Sequence, residues 1–306
     1  MALATRRSTA IAITREARGR VPGDGIALAL GYWPGRGAPV VALHGLTSTY
    51  VSFMGVAERL AGRRPLFALD LRGRGDSDKP DGPYGMVQHA RDVAHAMRAL
   101  GLGPSIIVGH SMGAFIAAAL AASEPELVAG LILVDGGFVI PMTEASRQAF
   151  ESGLGKRISQ LRETYPSRQA YRDFWRSQPQ FPPEDWGPWI EASLDYELGG
   201  EPPRLQPKAS FEGVRIDLAE GLKTREISER LQAIRVPVVM LRAEAGFLPG
   251  QPPLYPEPAM AEMRRLIPGL EVHTIQGTTH YTLVLGKRGA AALADLILEF
   301  SERCGR

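Results

Sequence analysis

The sequence places a glycine-flanked serine in mid-chain and a histidine near its end. Two carboxylates stand between them. Those residue types, in that order, suit nucleophilic attack on a carbonyl carbon. Residues 106–113 read Ile-Ile-Val-Gly-His-Ser-Met-Gly and run straight into Ala-Phe-Ile-Ala-Ala-Ala-Leu-Ala-Ala. With 34 glycines and 16 serines, Gly-x-Ser-x-Gly arises by chance about 0.2 times in a chain of this length, so the pattern alone decides little. Its placement decides more, because an apolar strand candidate precedes it and a helix candidate follows. A serine on such a sharp turn sits in strained backbone, and its neighbours must be small for the turn to close. Gly109 and Gly113 supply that room, and the helix N-terminus aims backbone N–H groups at negative charge developing beside Ser111.

A general base must come from a loop at the same end of the sheet. Six histidines are available, at 44, 89, 95, 110, 273 and 280. His89 and His95 fall in one helix candidate, as solvated or interhelical residues. His110 adjoins the serine but is expected to point away from it, and His273 lies inside a strand candidate, Leu270–Ile275. His280 follows that strand in Gln-Gly-Thr-Thr-His, where an imidazole can reach back to Ser111. His44-Gly45-Leu46, after the strand candidate Val40–Leu43, is a second turn of interest. The backbone N–H groups of Leu46 and Met112 are placed to receive an oxyanion, with His44 structural. For the acid that orients the imidazole, Asp135 ends the run Leu131–Val134 and Glu244 follows Val236–Leu241. At the level of the residues both stand. Asp70 also ends a strand candidate, and its place before the serine suits a loop-closing role.

The elements that must hold these residues are legible as short apolar runs alternating with longer amphipathic segments. Val40–Leu43, Leu66–Leu69, Ile106–Val108, Leu131–Val134 and Val236–Leu241 are apolar throughout, as strands buried on both faces of a parallel sheet are. Helices are predicted over Val51–Gly62, Met86–Gly101, Ser111–Ser123 and Lys287–Ser301. Strands alternating with helices of this length predict an α/β fold with a mostly parallel central sheet flanked by helices. Ala10–Thr14 and Ile26–Tyr32, separated by Pro-Gly-Asp-Gly, are expected to pair as an antiparallel edge hairpin.

One stretch breaks the rhythm. Residues 138–231 hold nine of the 24 prolines and three of the four tryptophans and no buried-strand run, which favours short helices joined by rigid turns. The aromatics Phe174, Trp175, Phe181, Trp186 and Trp189 are too many for a disordered segment. The expected organisation is therefore a core of residues 1–137 and 232–306 with a helical lid inserted at 138–231. Trp175, Trp186 and Trp189 are the expected substrate contacts.

Composition narrows the remaining classes. Lys and Arg total 35 against 33 Asp and Glu, with 44% hydrophobic and 22% charged residues in 306. That balance argues against a nucleic-acid surface and against disorder. No apolar run approaches the roughly 20 residues of a membrane span, and the first 20 residues lack the apolar core of a secretory signal. Cys304 is the only cysteine, which excludes an intrachain disulfide and a cysteine-based zinc cage. These features predict a cytoplasmic protein with no metal site.

Together His44-Gly45, the Asp70–Asp78 segment, Gly109–Gly113 and His280 resemble the α/β-hydrolase superfamily, over about residues 38–136 and 236–303. The resemblance implies the order nucleophile, acid, histidine, which either carboxylate respects. Most members carry the acid after the strand equivalent to Val236–Leu241, in a Gly-x-x-Asp pattern. Here that stretch is Ala243-Glu244-Ala245-Gly246, with glycine at the acid position. Lactonases of the zearalenone-degrading type and many haloalkane dehalogenases carry it after the preceding strand instead, which favours Asp135 over Glu244. Dehalogenases and epoxide hydrolases use aspartate where this chain has Ser111. The implied activity is hydrolysis of a carboxylic ester or lactone with an apolar group, through an acyl-enzyme and without a cofactor. Carbon–carbon bond hydrolases of the same fold and a non-catalytic ligand receptor are the alternatives, and the lid's aromatics leave a homodimer open.

Overall fold

In the computed structural model, which describes residues 17–140, 155, 158–221 and 224–304, the apolar runs become adjacent strands of one sheet. In chain order these are β1 (Ala17–Pro22), β2 (Ala27–Trp33), β3 (Val40–Leu43), β4 (Leu66–Leu69), β5 (Ser105–His110) and β6 (Val128–Val134). After a two-residue pair, β7 (Leu198–Gly199) with β8 (Gln206–Pro207), come β9 (Val238–Ala243) and β10 (Glu271–Ile275). The eight-stranded sheet has the order β1-β2-β4-β3-β5-β6-β9-β10. Pairing is antiparallel for β1–β2 and β2–β4 and parallel from β4 to β10.

The unbroken apolar runs have a simple cause: successive side chains point to opposite faces, and both faces are covered. Val41, Leu43, Ile107, Leu131 and Leu133 pack into one core layer. Val40, Ala42, Ile106, Val108, Ile132 and Val134 pack into the other. The first layer is closed by α2 (Met86–Ala99), α3 (Met112–Ser123) and α8 (Glu257–Leu266). The second is closed by α1 (Met54–Leu60), α9 (Thr282–Leu285) and α10 (Lys287–Cys304). Alanines in α3 let it lie close to the sheet, and it is buried on nearly every side, as a helix apolar all round must be.

The hairpin forms, with β1 at Ala17–Pro22 rather than at Ala10–Thr14, which lies outside the described residues. Between β6 and β9 the chain makes short helices, as the prolines require: α4 (Arg168–Arg176), α5 (Pro188–Glu197), α6 (Phe211–Gly221) and α7 (Thr224–Ala233). Their aromatics pack on one another, with Tyr171, Trp175, Phe181, Ile190 and Leu194 in a small core of their own. This segment is fastened to the sheet layers by polar bonds. Tyr196 donates to Asp70 at 2.7 Å and Lys208 to Asp76 at 2.7 Å. Helix α7 spans the expected boundary at 231, and Leu231 already packs in the first core layer. No helix among the described residues is long and apolar enough to cross a membrane.

Burial of both faces makes a test. Leu133→Ala, at a side chain with no exposure, should lower unfolding free energy by about 2–5 kcal/mol. Val87→Ala, at a side chain 41% exposed, should stay within about 0.5 kcal/mol of the parent; urea titration reads both.

Candidate active site

Parallel strands bring their C-terminal ends to one edge of the sheet, and loops leaving that edge converge. Ser111 stands there between β5 and α3, with φ +54° and ψ −118°. This is a costly conformation for a residue with a side chain, and surrounding bonds hold it. Its N–H donates to Val134 O at 2.9 Å, and its carbonyl accepts from Ala114 N at 3.0 Å. A Cβ on Gly113 would sit 2.1 Å from Leu43 O, and one on Gly109 would sit 2.3 Å from Gly113 O. Only glycine permits both approaches. Gly45 belongs to the same crowded point, since a Cβ there would lie 3.7 Å from Ser111 Oγ.

Asp135, another left-handed residue at φ +45°, leaves β6 and turns its carboxylate toward the loop after β10. There His280 Nδ1–H donates to Asp135 Oδ2 at 2.7 Å, with side chains 5% and 1% exposed. Asp135 Oδ1 accepts the Ala243 N–H at 3.3 Å, which anchors the other carboxylate oxygen. Glu244 does not reach the histidine: it is exposed, and its Oε2 accepts from Gly277 N at 2.7 Å. The geometry brings Asp135, and not Glu244, to His280.

His110 has a role the sequence did not reveal. Its Nε2–H donates to the His280 carbonyl at 2.9 Å, and the two rings lie 4.8 Å apart. The residue before the serine thus fastens the loop that carries the imidazole. Phe247 packs edge-on against His280, centroids 4.8 Å apart, and His280 N–H donates to Gly246 O at 2.9 Å. Burial pushes the His110 imidazole well below its usual range, so it stays a neutral donor.

The turn proposed for the oxyanion is braced from below. His44 donates from Nδ1 to Gly45 O at 2.7 Å and accepts at Nε2 from Leu71 N at 3.0 Å. With both nitrogens engaged and no exposure, it is a strut, and burial lowers its pKa to about 3. Arg74 Nε donates to Leu46 O at 3.0 Å. Its Nη1 meets Asp217 of α6 at 2.6 Å, and Asp217 also accepts from His89 Nε2 at 2.9 Å, all three side chains fully buried. Burial alone raises the Asp217 carboxyl, yet the charges of His89 and Arg74 and their hydrogen bonds hold it below the usual range. The loop segment Asp70–Asp78 was visible in the sequence, whereas nothing there marked Asp217 as its partner. Asp70 closes its loop as expected, accepting from Tyr50 N and Asp76 N at 2.8 and 2.9 Å, and burial pushes it up to about 6.

Of the three tryptophans singled out, Trp175 lines a cleft of about 410 Å³ beside Tyr281. Trp186 and Trp189 are not in its walls. Trp186 donates to Glu191 at 2.8 Å under the Arg176 guanidinium. Trp189 lies flat over Gly55 and donates to Glu58 at 2.9 Å, clamping α5 to α1. Both are large apolar rings with one polar atom, and each satisfies that atom on a neighbouring helix rather than at the cleft. Among the described residues no group of three or more His, Cys, Asp or Glu stands ready to hold a metal ion.

Comparison with known proteins agrees with this architecture. A family model described as alpha/beta hydrolase fold matches residues 38–173. The 2-(acetamidomethylene)succinate hydrolase of Mesorhizobium japonicum is 30% identical over 247 residues, 81% of this chain and 83% of that protein. The N-formylmaleamate deformylase of Pseudomonas putida is 27% identical over 265 residues, 86% of this chain and 90% of that protein. The crystal structure of E-2-(acetamidomethylene)succinate hydrolase superposes with a TM-score of 0.79 at 24% identity, covering 94% of this chain and all of that one.

The strut at His44 generates a pH prediction. Its imidazole titrates near 6.5 when unfolded but only near 3 when folded. The stability from its neutral form is therefore complete above pH 6.5 and lost as pH falls. Asp70, raised in the folded state, acts with the opposite sign between about pH 4 and 6. Between pH 6 and 4 the parent should lose about 1.4 kcal/mol per pH unit more than a His44→Gln variant. Urea titrations at pH 7, 6, 5 and 4 measure it, and parallel curves would contradict it.

Proposed function

The chain belongs to the alpha/beta hydrolase family, and on that premise we propose that it is a serine hydrolase working through an acyl-enzyme. The observation that carries this reading is the buried 2.7 Å bond from His280 Nδ1 to Asp135, because it fixes the tautomer that leaves Nε2 unprotonated. His280 Nε2 then takes the proton of Ser111 as Oγ attacks the carbonyl carbon. The carbonyl oxygen becomes an oxyanion, received by the backbone N–H groups of Leu46 and Met112. Collapse of the tetrahedral intermediate expels the leaving group with the proton that His280 held. Water then attacks the acyl-enzyme with the same imidazole as base, releasing a carboxylic acid and restoring Ser111.

The substrate reading is a carboxylic ester or lactone with an apolar group, supported by the aromatic and aliphatic walls of the cleft around Trp175, Phe181 and Leu194. Apolar contact there is worth about 25 cal/mol per Å² buried. The segment between β6 and β9 acts in this reading as a lid, covering the cleft with its own small aromatic core. A second reading is favoured by the relatives, whose names describe an acetamido and an N-formyl compound. In both, the carbonyl carbon is bonded to nitrogen, and the same serine chemistry applies to an N-acyl bond.

Ser111→Ala should abolish turnover of p-nitrophenyl esters, by at least about 10⁴-fold in kcat, while leaving the unfolding midpoint close to that of the parent. Unchanged activity in a folded variant would sink the proposal. Asp135→Asn should cost about 10³–10⁴-fold, whereas Glu244→Gln should stay within about threefold. Comparable losses from the two would remove Asp135 from its assigned role. Matched esters and N-acyl amides sharing one acyl group separate the two substrate readings.

A further inference from the structure

Arg74 is fully buried, and its guanidinium spans both sides of the turn at Ser111. Nε donates to Leu46 O at 3.0 Å, Nη1 donates to Arg72 O at 2.9 Å, and Nη2 reaches Met112 Sδ at 3.9 Å. In the reading above, Leu46 and Met112 supply the two oxyanion donors, so one planar fork holds the residues that carry both. Gly45 sets how near the first of them stands to the nucleophile, since a Cβ there would lie 3.3 Å from Ser111 Cβ. The far side of the fork belongs to the inserted segment. Asp217 of α6 pairs with Nη1 at 2.6 Å, and the same carboxylate accepts from His89 Nε2 at 2.9 Å and from Gly85 N at 2.7 Å. A buried carboxylate with three donors has little freedom to move. The same helix face makes a second contact: Leu46 packs against the cluster of Ile158, Leu161 and Val214, and Val214 lies one turn before Asp217 in α6. Just ahead of that helix, Ser210 N donates to Gly73 O at 2.7 Å.

Resting on the serine-hydrolase reading, we propose that Arg74 and Asp217 are positioning residues for the oxyanion donors, which makes α6 of the inserted segment a contributor to transition-state stabilisation. Both side chains act through Leu46 and Met112 rather than on substrate. Arg74 fixes the Leu46 carbonyl and the Met112 side chain, and Asp217 fixes Arg74. Without the fork the Leu46 turn loses its brace, and a displacement of about 1 Å near the reacting atoms costs on the order of 10²-fold. Lysine in place of Arg74 brings a single point charge. It can pair with Asp217, but it cannot also hold Leu46 O in the plane of a guanidinium. Groups that serve only the oxyanion change kcat and leave KM alone.

The test follows kcat and KM for p-nitrophenyl butyrate and the affinity of a trifluoromethyl ketone with the same alkyl chain. Ser111 Oγ adds to the ketone carbon, its proton passes to His280, and the former carbonyl oxygen carries the negative charge that the donors receive. Arg74→Lys and Asp217→Asn should each lower kcat about 10- to 100-fold, leave KM within about threefold, and weaken the ketone in proportion. Tyr196→Phe, which removes a different bond between the insert and the core, should leave all three within about threefold. Parental kcat in a folded Arg74→Lys or Asp217→Asn protein overturns the proposal, as does an equal loss in Tyr196→Phe or a rise confined to KM. Should both buried substitutions leave the protein unfolded, Val214→Ala carries the test, since it trims the cluster beside Leu46 without touching a charge. It should lower kcat and ketone affinity together by about threefold to tenfold, and parental values overturn the proposal. Fluorophosphonate labelling of Ser111 in the parent separates the two levels. A parent neither labelled nor active refutes the serine-hydrolase reading and this proposal with it; a labelled, active parent whose variants are unaffected refutes the positioning role alone.

Discussion

Everything at this site depends on how closely one turn can press against a neighbouring strand. The chain leaves β5, reverses within Gly109–Gly113 and enters α3 with a Cβ-sized gap to spare at neither glycine. That proximity holds Ser111 at a positive φ and gives the serine a fixed direction. The backbone strain is offset by what surrounds it: the Ser111 N–H bond to Val134 O and a helix buried on nearly every side. A conformation of this kind persists only where its neighbours over-determine it. Here the neighbours are β3 and β6, the strands on either side of β5.

From that point the arrangement spreads along the edge of the sheet. β6 supplies Asp135, β10 leads into His280, and β3 leads into the His44-Gly45-Leu46 turn. Each strand ends next to its neighbour because the pairing is parallel and in register. The loops are then fastened to each other by bonds between residues far apart in sequence. His110 holds the His280 carbonyl, His44 holds Leu71, and Arg74 joins Leu46 to Asp217. An ion pair as deeply buried as Arg74 with Asp217 is weak evidence for stability, since desolvation opposes the Coulomb gain. Its effect here is placement, because it ties the inserted helices to the loop expected to carry an oxyanion donor.

The inserted segment is the part of the molecule that is least like the rest of it. It builds a core from its own aromatics and meets the sheet layers through clamps such as Trp189 on Gly55 and Tyr196 on Asp70. Its tryptophans take different roles: Trp186 and Trp189 donate to Glu191 and Glu58, whereas Trp175 packs in the segment's own core and lines the cleft.

The sequence by itself determined the mostly parallel sheet, its inner strands and the helices α1, α2, α3 and α10, since periodicity and unbroken apolar runs are local consequences of burial on two faces; β1 and α8 it did not place. It placed Ser111 on a strand-to-helix turn for the same reason, because glycine spacing at such a junction is a local requirement. The structural placement of His44 and Asp70 was also legible, from their positions at strand ends ahead of the serine. The pairing of His280 with Asp135 rather than Glu244 was decided only by tertiary structure. Both carboxylates end strands; Glu244, at the end of β9 beside β10, is taken up by Gly277 at the start of the β10 loop, and Asp135, one strand further in, is the one that meets the imidazole. Asp217 and His110 were settled there too. Their partners depend on contacts between distant segments that no local pattern encodes.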